Sequence, residues 1–164
     1  MPGLGAMLAA LGGYNDEAKL TECVGQRIVS LVLVDELNGG DGALVLTLDS
    51  GRVFEISDKA RSCCESRYLN CDDDLSSLVG QVFTDMNVEH VADIEDGYGC
   101  HETAFLRIHS QFDSVTIETH NEHNGYYGGI IVAVTEAASV DPVVLPVPLA
   151  AADEDDDVLM WRKV

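Results

Sequence analysis

A histidine-rich stretch between residues 119 and 129 contains the side chains best suited to chemistry. His120 and His123 are three positions apart, with Asn121 and Glu122 between them. Two imidazoles at one strand end can share a metal ion, and a tetrahedral site would need two further ligands. The candidates for those further ligands are Cys63, Cys64 and His101.

The spacing of these residues is loose for a zinc site. The sequence has no Cys-x-x-Cys and no His-Glu-x-x-His motif, and two adjacent cysteines cannot easily aim both thiolates at one ion. Histidines and asparagines also hydrogen-bond within tight loops that contain glycine. We therefore predict no cofactor, and a zinc-binding protein or metal-dependent hydrolase that uses His120 and His123 is the alternative.

Cysteine chemistry is a second hypothesis for the same residues. Cys63 or Cys64 beside His120 or His123 would form a thiolate–imidazole pair able to attack an electrophile. Cysteine is more often a small buried apolar residue, however. The sequence also has no phosphate-binding loop, dinucleotide-binding glycine pattern or Gly-x-Ser-x-Gly motif. We therefore predict no catalytic residue.

The composition of the stretch suits recognition better than bond-making. Asparagine amides and tyrosine hydroxyls are neutral donors and acceptors, aromatic rings are stacking surfaces, and glycines allow close backbone approach. We predict contacts to a ligand or partner from this stretch, from an arginine in the first half and from the only tryptophan. The predicted binding residues are His120, Asn121, Glu122, His123, Asn124, Tyr126, Tyr127, Arg67 and Trp161.

An internal repeat predicts the elements that would position these residues. The segments 20–26 and 75–81 share Leu, Val, Gly and Gln at an offset of 55. Downstream, residues 46–50 resemble 106–110, and Phe54 aligns with Ile117 at an offset of 63. We expect the eight extra residues in a longer loop between the first two strands of the second copy. Chance similarity between two β-rich stretches is the alternative.

Each copy is predicted to be a helical turn followed by three strands. The segments Asn15-Asp16-Glu17 and Asp72-Asp73-Asp74 are typical of helix N-termini, where such side chains accept free backbone N–H groups. Alternation of apolar and polar residues predicts seven strands, and within 81–91 it puts Val82, Thr84 and Met86 on the core face. The predicted strands cover residues 26–36, 43–49, 52–57, 81–91, 103–109, 114–120 and 129–135.

The predicted fold class is mainly β with minor α. Strands that are adjacent in sequence should pair antiparallel, which gives a sandwich or a partly open barrel of two three-stranded units plus a seventh strand. The predicted domain covers residues 20–138, with repeat units over about 20–70 and 75–135. If a pseudo-twofold axis relates the copies, the polar segments after their third strands face each other across one cleft.

Composition and charge exclude several classes of function. The chain of 164 residues carries 29 Asp and Glu against 9 Lys and Arg, a net charge of −20, and is 46% hydrophobic. This apolar content is too high for a disordered polyanion, and no apolar run is long enough to span a membrane. Like charge repels nucleic-acid phosphates, so we predict no direct nucleic-acid binding and no membrane partner. A basic protein remains a compatible partner, whereas solubility alone would also explain the charge.

The two ends of the chain differ from its centre. Residues 1–19 begin as an apolar segment without a basic leader, and five cysteines with one adjacent pair do not suggest a secreted disulfide framework. We therefore expect a reducing cytoplasm. Residues 139–164 contain prolines, an acidic run and an apolar end with Trp161. That end is expected either to pack on its own domain or to bind a partner.

Two motifs resemble a small domain family of unknown function that is found in bacteriophages and some bacteria. The first is Cys63-Cys64-Glu65-x-Arg67-Tyr68 with Asp72-Asp73-Asp74-Leu75, and the second is Thr119-His120-Asn121-Glu122-His123-Asn124-Gly125-Tyr126-Tyr127-Gly128-Gly129. The resemblance covers roughly residues 51–134. It implies a phage or prophage accessory protein and no particular activity.

These observations together predict a non-catalytic interaction or ligand-binding module. Its expected partner is a host or phage protein, the charge being compatible with a basic one, and a homo-oligomer is expected as well. The expected location is the host cytoplasm or the virion. A structural subunit of the virion is a further alternative.

Overall fold

The computed structural model describes residues 16–37, 40–60, 64–90, 94–95, 99–125 and 128–142. Cys63, Tyr126, Tyr127 and Trp161 lie outside the described residues. The described helices are α1 (Glu17–Thr21) and a 3₁₀ helix (Leu75–Leu78). The described strands are β1 (Ile28–Leu37), β2 (Gly40–Leu48), β3 (Val53–Asp58), β4 (Glu65–Asn70), β5 (Phe83–His90), β6 (Ile94–Glu95), β7 (Cys100–Ser110), β8 (Ser114–His123) and β9 (Val132–Glu136).

The strands form two antiparallel sheets. The first has the order β1-β2-β3-β9, and the second has the order β4-β8-β7-β5, with β6 pairing to β7. Both sheets contribute to one apolar core, with Leu46 and Phe54 from the first and Leu106 and Ile117 from the second. The predicted mainly β fold is confirmed, and the arrangement is consistent with a sandwich and is not a closed barrel. Neither described helix is long and apolar enough to cross a membrane.

Each half of the chain gives its last strand to the sheet of the other half. β4 follows the first three strands and pairs with β8 in the second sheet. β9 follows β8 and pairs with β3 in the first sheet. The polar segment after β3 therefore becomes a strand beside β8, so the two polar segments are neighbours through strand pairing rather than as loops across a cleft.

The junction between the two halves has paired hydrogen bonds. Four backbone hydrogen bonds there form two equivalent pairs. Within a pair, the residue numbers of the two donors differ by 55, and so do those of the two acceptors. The bonds are Gly25 N–H to Phe83 O (2.9 Å), Gly80 N–H to Ile28 O (2.8 Å), Ile28 N–H to Gln81 O (2.9 Å) and Phe83 N–H to Gln26 O (2.8 Å). Gly25 and Gly80 both have positive φ, which explains why glycine recurs at this position.

The register of the later strands corrects the predicted alignment. Leu31 pairs with Leu46, and its equivalent Met86 pairs with Ile108, so the offset between β2 and β7 is 62. Phe54 pairs with Leu46, and Val115 pairs with its equivalent Ile108. Phe54 is therefore equivalent to Val115 rather than to Ile117, an offset of 61 instead of 63. The prediction was wrong by two residues because a slip of two keeps every side chain on its face and leaves the apolar pattern unchanged.

Two predicted elements also differ from the structure. Residues 65–70 lie outside the seven predicted strands, but they form β4, with alternating half-buried and exposed side chains. In β5 the buried residue is Phe83, whereas Val82 is half-buried and Thr84 is exposed. A bulge between Phe83 and Asp85 inserts one residue, so the alternation changes face before Met86.

Candidate functional site

The candidate site lies where β4, β7 and β8 run side by side at one end of the second sheet. Glu65, His123 and Cys100 are in register across the three strands, and Arg67, Asn121 and Glu102 form the next inward-facing row. The rows between them face outward, because side chains alternate along a strand. The outward-facing rows are Ser66, Glu122 and His101, then Tyr68, His120 and Thr103.

Arg67 is the centre of the inward-facing cluster. Its Nε and Nη2 donate to the two carboxylate oxygens of Glu65 at 3.0 and 2.8 Å, and its Nη1 donates to Asp58 and to the Gly129 carbonyl (3.0 Å). The Arg67 side chain is 4% exposed. Burial raises the pKa of Asp58, although two backbone N–H groups and Arg67 act in the opposite direction.

A second part of the cluster joins β7, β8 and the segment before β9. The Asn121 side-chain amide donates to Glu102 Oε2 at 3.1 Å and to Glu65 Oε1 at 3.3 Å. The Gly129 N–H donates to the same Glu102 oxygen at 2.6 Å. The Asn121 Oδ1 atom is buried and has no hydrogen-bond partner in the described part of the chain. These contacts fix the spacing of β4, β7 and β8.

His123 faces this cluster and belongs to it. Its Nδ1 accepts the Gly125 N–H at 3.0 Å, so the proton of the neutral ring lies on Nε2. That Nε2 is 3.3 Å from Glu102 Oε2. A Cβ on Gly128 would lie 2.9 Å from Glu102 Oε1 and 3.1 Å from His123 Nε2, so the close approach of the backbone requires glycine there.

The outward-facing cluster is centred on His120. Its ring stacks on Tyr68 with 4.7 Å between centroids, and its Nε2 is 3.1 Å from Glu118 Oε2. Its Nδ1 is 2.9 Å from His101 Nε2. The Tyr68 hydroxyl donates to Glu122 Oε1 at 2.8 Å, and this hydrogen bond raises the pKa of Tyr68. We call Tyr68, His101, Glu118, His120 and Glu122 the outer platform.

A groove of about 540 Å³ adjoins the outer platform at the strand ends. Glu65 and Glu122 both line it, but the Glu65 carboxylate is buried and paired with Arg67, so the exposed carboxylate is that of Glu122. None of the described residues that line it is Lys or Arg. It combines carboxylate, imidazole, amide and thiol groups. The described lining residues are Cys64, Glu65, Ser66, Gly99, Cys100, His101, Glu122, His123 and Asn124.

The structure separates His120 and His123, the pair considered for the alternative metal site. His120 lies on the outer face of β8 with Tyr68, whereas His123 lies on the inner face with Glu102, because three positions along a strand reverse the side-chain direction. Among residues that the structure describes, no group of three or more His, Cys, Asp or Glu side chains could hold a metal ion. Cys64, predicted as a ligand or nucleophile, lines the groove together with His101 and His123.

The other predicted binding residues separate into three sets. Glu122 and Asn124 are exposed and line the groove, whereas Asn121 and Arg67 are buried in the inward-facing cluster. Tyr126, Tyr127 and Trp161 fall outside the described ranges. The sequence analysis did not identify Asp58 and Glu102. Residues 65–70 show no alternation of apolar and polar types, because Glu65 and Arg67 face inward, so the sequence pattern carried no signal for β4 or for the pairing of Arg67 with Asn121.

Comparison with known protein families gives one match. Residues 21–133 match the family model described as a domain of unknown function, DUF7448. No curated protein and no solved structure matches the chain. The matched region includes β1 to β8 and both residue clusters, and it extends the predicted resemblance towards the N-terminus. The chain belongs to this family of domains of unknown function.

Proposed function

We propose that the protein is a non-catalytic binding module that binds a cationic segment of a protein partner. The binding surface is the groove at the strand ends together with the outer platform. The observation that supports this most directly is the charge of the groove, where the exposed Glu122 faces an opening that no described Lys or Arg lines. The net charge of −20 would attract such a segment over a longer distance.

The aromatic part of the outer platform supports the same proposal. Tyr68 is 39% exposed and stacks on His120, so one face of a fixed ring pair is accessible. Lysine and arginine side chains are attracted to aromatic faces, and arginine in particular stacks on planar rings. Glu118 and Glu122 lie on either side of His120 along β8 and would neutralise the bound cation.

The inward-facing cluster supports the proposal indirectly. Arg67, Glu65 and Asn121 link β4 to β8 beneath the outer platform through buried hydrogen bonds. A surface that is rigid before binding loses less conformational entropy when the partner binds. We therefore infer that the cluster holds the platform in its binding geometry.

The proposed biological setting follows from the resemblance. It favours a phage or prophage accessory protein that engages a host or phage protein in the host cytoplasm or the virion. The zinc hydrolase that we kept as an alternative loses its geometric support, because His120 and His123 point to opposite faces.

Binding of short labelled peptides tests the proposal. Lysine-rich and arginine-rich peptides are titrated against the full chain by fluorescence anisotropy, at about 150 mM salt to screen long-range attraction. Glu122→Gln and Tyr68→Ala should each weaken binding by about fivefold or more, because each removes about 1 kcal/mol of contact. The matched control is Glu55→Gln, which removes the same charge from β3 in the first sheet.

Two results would overturn the proposal. One is the absence of measurable binding to any cationic peptide at this salt concentration. The other is equal weakening by Glu122→Gln and Glu55→Gln, since net charge alone would then explain the attraction.

A further inference from the structure

The contact between His101 and His120 has a geometry that metals can use. Their facing nitrogens, His101 Nε2 and His120 Nδ1, are 2.9 Å apart. Two metal–nitrogen bonds of about 2.0–2.1 Å that meet at a right angle span about 2.9 Å between the nitrogens. A tetrahedral ion would need a wider separation. The distance therefore fits two adjacent positions of a square-planar or octahedral ion.

His120 already has the orientation of a metal ligand. Its Nε2 lies 3.1 Å from the Glu118 carboxylate, which places the ring proton on Nε2 and leaves the lone pair on Nδ1. A histidine that donates its other N–H to a carboxylate is the common arrangement around protein-bound metals. Tyr68 stacks on the same ring and limits its rotation.

We propose that His101 and His120 form a site for Cu²⁺ or Ni²⁺, with water molecules as the remaining ligands. Without metal the two nitrogens share one hydrogen bond. When the metal binds, the His101 proton leaves Nε2 and the ring takes up a proton on Nδ1 from solvent, so both imidazoles stay neutral. Glu122 is opposite His101 across the β7–β8 pair and adds negative charge beside the site. Imidazole nitrogen favours these ions over Mg²⁺ and Ca²⁺.

This site differs from the zinc site suggested by the sequence, and it does not depend on peptide binding. His123 takes no part in it, because that side chain faces the opposite side of β8. A metal on His120 would occupy the outer platform, so metal and cationic peptide should compete where both proposals hold. Failure of one proposal leaves the other intact, since each is measured without the second ligand.

Titration of the full chain with NiCl₂ in millimolar MgCl₂ tests the site, because Mg²⁺ occupies non-specific acidic sites. Calorimetry should detect one Ni²⁺ site that His101→Gln and His120→Gln each weaken by roughly tenfold or more. Glu118→Gln keeps both imidazoles and should weaken binding less, through loss of orientation. The matched control is His109→Gln, since His109 is also on β7 but contacts Asn87 (2.6 Å).

The histidine ring signals in NMR spectra provide a second measurement. Paramagnetic Ni²⁺ or Cu²⁺ should broaden the His101 and His120 signals first. A Ni²⁺ affinity that is the same in wild type and His120→Gln would overturn the proposal. Equal weakening by His109→Gln or His123→Gln, or first broadening at those residues, would also overturn it. Thermal unfolding without metal checks that each variant folds.

Discussion

The two sheets contain equivalent strands that differ in length and in the residues at their ends. In the first sheet, the inward-facing residues of β2 and β3 are apolar and fully buried at Leu44, Leu46 and Phe54. Asp58, at the end of β3, is charged and contacts Arg67. In the second sheet, the equivalent residues Leu106 and Ile108 are also in the core, but β7 continues to Glu102 and Cys100. β8 likewise continues beyond the apolar core to Asn121 and His123.

This difference shows how the site arises from strand length. β2 and β3 have 9 and 6 residues, whereas β7 and β8 have 11 and 10. The extra residues lie past the shared core, so their inner faces can hold a charged cluster and their outer faces the platform. An apolar framework shared by the two sheets is thus compatible with longer strands that carry the polar site in the second sheet.

The largest expected effect is the loss of the buried cation in the second sheet. Arg67→Met should lower the free energy of unfolding by about 3–5 kcal/mol, because Asp58 and Glu65 would stay buried without their counter-charge. Urea denaturation measures this. Arg107→Met is the control at an exposed pair with Glu89 (3.4 Å) and should cost about 0–1 kcal/mol. Equal costs would contradict the buried role of Arg67.

The symmetric junction gives the next largest effect and tests the similarity of the halves. Gly25→Ala and Gly80→Ala should each cost about 1–2 kcal/mol, because alanine disfavours the positive φ at both positions. Nothing lies within 4 Å of a Cβ at either position, so strain alone is tested. Unfolding free energies that differ strongly between the two variants would show that the halves are not energetically equivalent.

Acid pH should affect two carboxylates of the first sheet, Glu136 on β9 and Asp58 on β3, in opposite directions. The hydrogen bond from Arg52 lowers the pKa of Glu136, on β9 of the first sheet. Glu136 therefore stabilises the fold at pH values above its ordinary pKa, and this stabilisation is lost as the pH falls through the lowered pKa. Burial raises the pKa of Asp58, so its contribution grows as the pH falls from the raised value towards its ordinary one.

Variants separate these two contributions. In urea denaturation between pH 7 and acid pH, Glu136→Gln should lose stability less steeply than wild type, and Asp58→Asn should lose it more steeply. The comparison uses the slope of the unfolding free energy against pH, so it does not depend on the absolute stability of either variant. Slopes that change in the same direction in both variants would contradict the opposite pKa shifts.

The smallest expected effect compares two serines at the tips of the hairpins. Ser50 and Ser110 each hydrogen-bond a glutamine of the junction, Gln26 at 2.5 Å and Gln81 at 2.6 Å. Ser110 is buried and also accepts the Asp113 N–H, whereas Ser50 is exposed. Ser110→Ala should cost about 1 kcal/mol and Ser50→Ala less. Thermal unfolding checks the order, and a larger loss at Ser50 would contradict it.

Much of the fold followed from local patterns in the sequence. Alternating residues predicted seven of the nine described strands, and the repeat of Leu, Val, Gly and Gln located the junction between halves. The acidic segment before Leu75 predicted the N-cap, where the Asp74 side chain accepts the Ser76 N–H at 3.0 Å. The alternation of side chains along a strand and the capping of a helix depend on residues close together in the sequence. They can therefore be predicted without knowing which strands pair.

The site could be predicted only in part. The stretch 119–129 and Arg67 were identified from residue type, but the predicted strand ended at His120, so that His120 and His123 could both reach one metal ion. β8 extends through both, which separates them onto opposite faces. Asp58 and Glu102 were missed because the side chains that pair with them lie on other strands, Arg67 on β4 for Asp58 and Asn121 on β8 for Glu102.

The sequence by itself determined the strand class, the acidic character and the glycines at the junction, because each depends on residue type or on short-range geometry. Tertiary structure decided the exchange of β4 and β9 between the halves, the two-residue shift in register and the division of polar residues between two faces. These depend on which strands pair and in what register. A slip of two residues leaves the alternating pattern unchanged, and only the packed core distinguishes between such registers.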